Sequence, residues 1–183
     1  MEHRLPNYPE GFYKVVKQGV MDVSTSLGVV DLSITEKKQP DKKRCNENVG
    51  MVVFMGTEIN GAFAVHCNQA YLDLTNPIKT QLQDRHDWLV EIANRMAGAI
   101  RSNCHQLKID FEMSVPLLTQ WTEFAIAADT IGPIEGFVFS NDTSHLTIEF
   151  CCAIKHSTKF EGNPDENLII GGPGEALIFE VKR

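Results

Sequence analysis

The run Gly50–Cys67, GMVVFMGTEINGAFAVHC, consists of two stretches rich in β-branched and apolar residues on either side of TEIN. Gly50–Gly56 and Gly61–Cys67 read as paired strands with Asn60-Gly61 closing the turn, because that dipeptide tolerates the positive φ angles of a tight hairpin. A second hairpin joins IEGFVF (Ile134–Phe139) to LTIEFCCAI (Leu146–Ile154) through SNDTSH. Between them LKIDFEMSV (Leu107–Val115) alternates apolar and polar residues and stops at Pro116, the pattern of a half-buried strand. Strands joined by hairpins, without regular βα alternation, predict an α+β fold, a mainly antiparallel β-sheet with helices packed on one face.

Three helices complete that expectation. Phe12, Val15, Val16, Val20, Val23 and Leu27 recur at helical spacing, with Gly28 as the C-terminal stop. A strand over Val29–Thr35 follows, and the charged Glu36–Asn48 stretch reads as an exposed loop. Asn68 caps a short helix to about Leu74, Asn76-Pro77 punctuates it, and a longer helix runs from about Asp84 to Asn103. GGPG (Gly171–Gly174) sets off a last short strand, EALIFEV.

The 183 residues, 43% apolar, suit one domain with a single core. The expectation is one domain over 1–183, its core at about 8–156 and a C-terminal extension over 157–183. A net charge of −7 and a pI near 5.3 argue against nucleic acid as a partner, since phosphate backbones are bound by clustered Lys and Arg. No apolar run approaches the roughly 20 residues that span a bilayer, and Met1–Glu10 lacks a signal-peptide core, so the expectation is a cytoplasmic chain that makes no membrane contact. Five cysteines without CxxC spacing read as reduced thiols. In a strand, Cys151 and Cys152 point to opposite faces, which predicts one in the core and one exposed.

The long helix carries the chemistry. At about 100° per residue with Asn94 at zero, Asp87 falls near 20°, Gly98 near 40°, Glu91 near 60° and Arg101 near −20°. Leu89, Ile92, Ala93, Met96, Ala99 and Ile100 fall between about 140° and 260° and face the core. Val90 and Ala97 sit on the border at about −40° and −60°, an apolar rim to the polar face. Gly98 costs about 1 kcal/mol inside a helix relative to alanine, a cost that close approach of another backbone would explain. Exposed helix faces ordinarily carry Asp, Glu, Arg and Asn, and Glu-x-x-Asn alone arises by chance in roughly one chain in three of this length. The tetrapeptide by itself therefore decides nothing.

The wider pattern is more specific. Asp87-Trp-Leu-Val-Glu91-Ile-Ala-Asn94, then Arg95-Met-Ala-Gly98, then a strand ending at Pro116, resembles the signature of the CheC/CheX chemotaxis phosphatases. That family carries Asp or Ser, then Glu, then Asn at these helical intervals, with a proline about twenty residues on. One motif copy is present, as in the CheX branch.

The resemblance implies hydrolysis of an aspartyl-phosphate on a phosphorylated CheY-like response regulator, with Asn94 orienting the attacking water and Glu91 docking to the partner's lysine. It places Asp87, Val90, Ala97, Gly98 and Arg101 at the partner contact. It implies no cofactor bound by this chain, Mg2+ in the partner's receiver site, and a homodimer joined through sheet edges. A receiver-binding module of the same fold without hydrolysis is the alternative, and a purely structural role for the helix is a third.

The remaining chemistry-bearing residues point elsewhere less clearly. Six histidines show no HExxH or HxxEH arrangement, no cationic neighbour marks a nucleophilic cysteine, and GGPG lacks the lysine and following helix of a phosphate loop.

Overall fold

In the computed structural model, which describes residues 8–37, 47–76 and 82–160, the chain alternates helices with antiparallel strands. The order is α1 (Glu10–Ser26), β1 (Ser33–Lys37), β2 (Asn48–Gly56), β3 (Ile59–Cys67), α2 (Gln69–Thr75) and α3 (Leu82–Gln106). β4 (Phe111–Met113), β5 (Leu117–Gln120), α4 (Trp121–Ala128), β6 (Glu135–Ser140) and β7 (His145–Ile154) follow. The seven strands form one sheet in the order β1-β6-β7-β3-β2-β4, and β5 also pairs with β2. Every pairing is antiparallel. The expected α+β class is therefore the one observed.

Both hairpins form, but the first turns earlier than its sequence predicts. Thr57 and Glu58 make the turn, and Asn60 and Gly61 lie inside β3 opposite Met55 and Phe54. Gly61 serves a different need there: a Cβ on it would lie 2.2 Å from the Cys151 carbonyl oxygen of the neighbouring β7. Asn60 closes the strand end through Oδ1, which accepts from the Gly56 N–H at 3.0 Å.

Two expected strands start or run differently because helix caps claim their first residues. At the end of α1 the Gly28 N–H donates to the Thr25 carbonyl and the Val29 N–H to that of Ser24, the Schellman arrangement with Gly28 at φ 81°. β1 consequently begins at Ser33 instead of Val29. The same device ends α3, with Lys108 at φ 62° and the Ile109 N–H on the Cys104 carbonyl, so only Phe111–Met113 of the expected 107–115 strand pairs with β2. Pro116 then separates β4 from β5 along the same edge of β2.

Alternation along the strands builds two apolar layers. Val52, Phe54, Phe63, Val65, Phe137, Phe139, Ile148 and Phe150 point to one side and pack with α1, α2 and α3. Val49, Ala62, Ala64 and Cys151 point to the other, where α4 contributes Trp121, Phe124 and Ala128. Helices thus cover the first face as expected, and α4 adds cover on the second. Cys151 and Cys152 do diverge, yet both are buried, because the second face is not the solvent-facing one the sequence implied. Trp121 donates its indole N–H to the buried Glu149 carboxylate, tying α4 to β7.

Asn68 caps α2 as its sequence predicts: its Oδ1 accepts from the Tyr71 N–H at 3.0 Å and from the His145 N–H at 3.1 Å. Residues 38–46 of the charged loop, together with GGPG and EALIFEV, lie outside the described residues.

Candidate active site

Helix α3 is gripped from two sides by glycines that let it sit close. A Cβ on Gly50 of β2 would lie 2.8 Å from the Ala93 Cβ and from the Leu89 carbonyl oxygen. A Cβ on Gly19 of α1 would lie 2.9 Å from the Ile100 Cγ1 and 3.0 Å from the Ile100 nitrogen. These two close approaches fix both the depth and the rotation of α3. Leu89, Ile92, Ala93, Met96, Ala99 and Ile100 are all buried, as the helical arithmetic requires.

The opposite face is open. Asp87 is exposed, and Val90, Glu91, Asn94, Gly98 and Arg101 are half-buried. Ala97 departs from its assignment to the partner-contact rim: it is fully buried in the core. Helix α1 packs across that border of α3, which widens the buried stripe by one position.

Glu91 and Asn94 differ in what they touch. Arg95 Nε donates to Glu91 Oε1 at 2.6 Å, a pair at helical i, i+4 spacing. The Arg95 guanidinium lies over the Trp88 ring, 5.2 Å from its centroid. Trp88 is itself anchored, its Nε1 donating to Thr75 Oγ1 at 2.9 Å, and Thr75 Oγ1 donates to the Tyr71 carbonyl at 2.8 Å. The Asn94 side chain has no hydrogen-bond partner among the described residues, so both its amide donor and its acceptor remain for a water or a partner. No atom of the described residues lies within 4 Å of where a Gly98 Cβ would be, which leaves a notch one turn beyond Asn94.

Arg95 and Trp88 had no role in the sequence reading although both lie inside the quoted motif. The Glu91-to-Arg95 spacing was the available signal. Trp88's anchoring depends on α2, which sequence periodicity along α3 cannot report.

Among the described residues no group of three or more His, Cys, Asp or Glu is placed to hold a metal ion. No helix of the described residues is long and apolar enough to cross a membrane. A cavity of about 540 Å³ lined by Tyr8, Pro133, Cys152, Lys155, His156 and Thr158, among others, takes no residue from α3.

This arrangement of an antiparallel sheet carrying one long helix is the fold seen in CheX and CheC-like chemotaxis proteins. Chemotaxis protein CheX from Vibrio vulnificus superposes with a TM-score of 0.62 at 16% identity, over 78% of this chain and 99% of that one. A CheC-like superfamily protein from Shewanella sp. PV-4 gives 0.64 at 12% identity, over 80% and 99%. A chain of the CheX–CheY–BeF3–Mg2+ complex from Borrelia burgdorferi gives 0.60 at 14% identity, over 80% and 97%. No family model matches the sequence, and no curated protein does either.

Proposed function

We propose that this chain is a CheX-like phosphatase that hydrolyses the aspartyl-phosphate of a CheY-like response regulator. The observation that carries the reading is the separation on α3: the six predicted core positions are buried while Glu91 and Asn94 share the open face. The likeness to a chain from a CheX–CheY complex supports the choice of partner.

An acyl phosphate on a receiver domain is held there with Mg2+ and a lysine of the receiver's own site. What fast hydrolysis lacks is a water held in line with the leaving oxygen. The Asn94 amide donates and accepts at once, so it can orient that water, and its contribution is positional rather than basic. Glu91, one turn earlier, pairs with the receiver's lysine and sets the register of the inserted helix. If that pair is desolvated, truncating Glu91 costs about 2–5 kcal/mol of docking, much of it in dissociation. Asp87, Val90, Gly98 and Arg101 border the contact.

The same reading takes the chain as one domain with an extension beyond about residue 156, cytoplasmic, without a cofactor of its own, and paired with a second copy. The half-exposed to exposed apolar side chains Met55, Val115, Leu117 and Leu118 along the β2, β4 and β5 edge support the pairing.

The experiment is the decay of phosphorylated receiver domains, across a small panel of regulators, with and without the protein. Acceleration for at least one regulator is expected. Binding without acceleration would replace this reading by the non-catalytic receiver-binding module, and neither binding nor acceleration would remove both.

A further inference from the structure

The contacts that end on Glu91 begin on a different helix. From the Tyr71 carbonyl and Thr75 hydroxyl of α2 they pass through the Trp88 indole to the Arg95 guanidinium and so to Glu91 Oε1. Tyr71 and Thr75 are buried, so the origin of this chain is rigid. The Arg95 side chain is 25% exposed and that of Glu91 40%. An ion pair at such exposure contributes little to folding.

Its value lies elsewhere. A free glutamate samples several rotamers, and fixing it on binding costs roughly two- to tenfold in affinity. Arg95, held over an anchored tryptophan, removes that cost in advance. It engages Oε1 through Nε and leaves the second carboxylate oxygen without a partner among the described residues.

We infer that Arg95 is the positioning residue for Glu91, holding the carboxylate in the orientation in which its second oxygen meets a cation of the docked receiver. The inference rests on the proposed reading of Glu91 as the docking carboxylate. Arg95 acts through Glu91, and Trp88 with Thr75 acts through Arg95.

The test uses the full chain and, as probe, CheY-type receiver domains carrying beryllofluoride and Mg2+. Arg95→Met, which keeps an unbranched apolar stem but not the charge, the guanidinium over Trp88 or the Nε donor, should weaken receiver affinity about three- to tenfold. At saturating protein the single-turnover decay of phosphorylated receiver should be unchanged, because Asn94 is untouched. Arg95→Lys should fall between, since an ammonium pairs without the planar fork. In a Glu91→Gln background Arg95→Met should have no further effect.

An equal loss in both backgrounds would mean that Arg95 meets the partner directly, and an unchanged or tighter complex in the wild-type background would make it a competitor for Glu91. Either result overturns the inference. If wild-type protein binds no receiver, the docking reading fails, and positioning is decided by the three-bond couplings of the Glu91 side chain. One rotamer in wild type and averaging in Arg95→Met uphold it, whereas averaging in both overturns it.

Discussion

An alanine at Gly98 would add one methyl to the open face of α3, one turn beyond Asn94, where a Cβ meets no heavy atom of the described residues within 4 Å. Glycine inside a helix costs about 1 kcal/mol relative to alanine, and nothing in the surroundings opposes the gain here. For a chain of this size that gain corresponds to a rise in Tm of about 2–4 °C. Gly19 is the internal control, because its Cβ would lie 2.9 Å from Ile100 Cγ1 and 3.0 Å from the Ile100 nitrogen. Overpacking of about 1–3 kcal/mol there outweighs the same propensity gain, so Gly19→Ala should lower stability or leave it level. Urea unfolding reads both, as opposite shifts in midpoint at constant slope. Gly98→Ala should nonetheless bind the receiver more weakly, since the methyl fills the notch into which the partner's backbone would fit. A variant that is both more stable and undiminished in docking would show that no backbone approaches at Gly98, and a variant without added stability would show that the notch is filled in solution.

The caps carry opposite signs of the same steric effect. Gly28→Ala places a Cβ at φ 81° and should cost about 1 kcal/mol, whereas Lys108→Gly relieves a side chain at φ 62° and should add about 0.5–1 kcal/mol, both read by thermal or urea unfolding. Burial pushes the Cys67 and Cys104 thiols up to about 12 and the Cys151 thiol up to about 11, so at pH 8 almost none is thiolate. Alkylation of these three in native protein should therefore proceed only as fast as the structure opens, with mass-spectrometric counting before and after urea as the check; labelling at the rate of a free thiol would contradict it. Because their folded values lie above the ordinary thiol value of 9.0, their contribution is intact below about pH 9 and falls as pH rises toward 12, so the urea midpoint should decline across that window.

Where periodicity governs, the sequence was legible. The buried stripe of α3, the stop of α1 at Gly28, the Asn68 cap and the second hairpin all follow from spacing and residue type alone. The rest depended on contacts between distant segments. Gly61 looked like a turn residue and is instead a point of close approach to β7. Lys108 sits in a left-handed cap that a lysine does not advertise. The short helix α4 buries Trp121, Phe124 and Ala128, a face that the unbroken apolar run Phe124–Ala128 hides from periodicity, and its presence is what buries Cys151. At the site, arithmetic along α3 placed Glu91 and Asn94 on one face correctly, but Ala97 is taken into the core by α1. Arg95 gains its place from Trp88, which α2 holds.

The central claim is that Asn94 orients the attacking water while Glu91 docks the helix. It is tested most directly by single-turnover decay of a phosphorylated CheY-like receiver, measured with equilibrium binding, for wild type, Asn94→Ala and Glu91→Lys. The account predicts that wild type accelerates decay, that Asn94→Ala binds nearly as tightly but no longer accelerates it, and that Glu91→Lys loses binding together with rate. Acceleration by Asn94→Ala equal to that of wild type would contradict it.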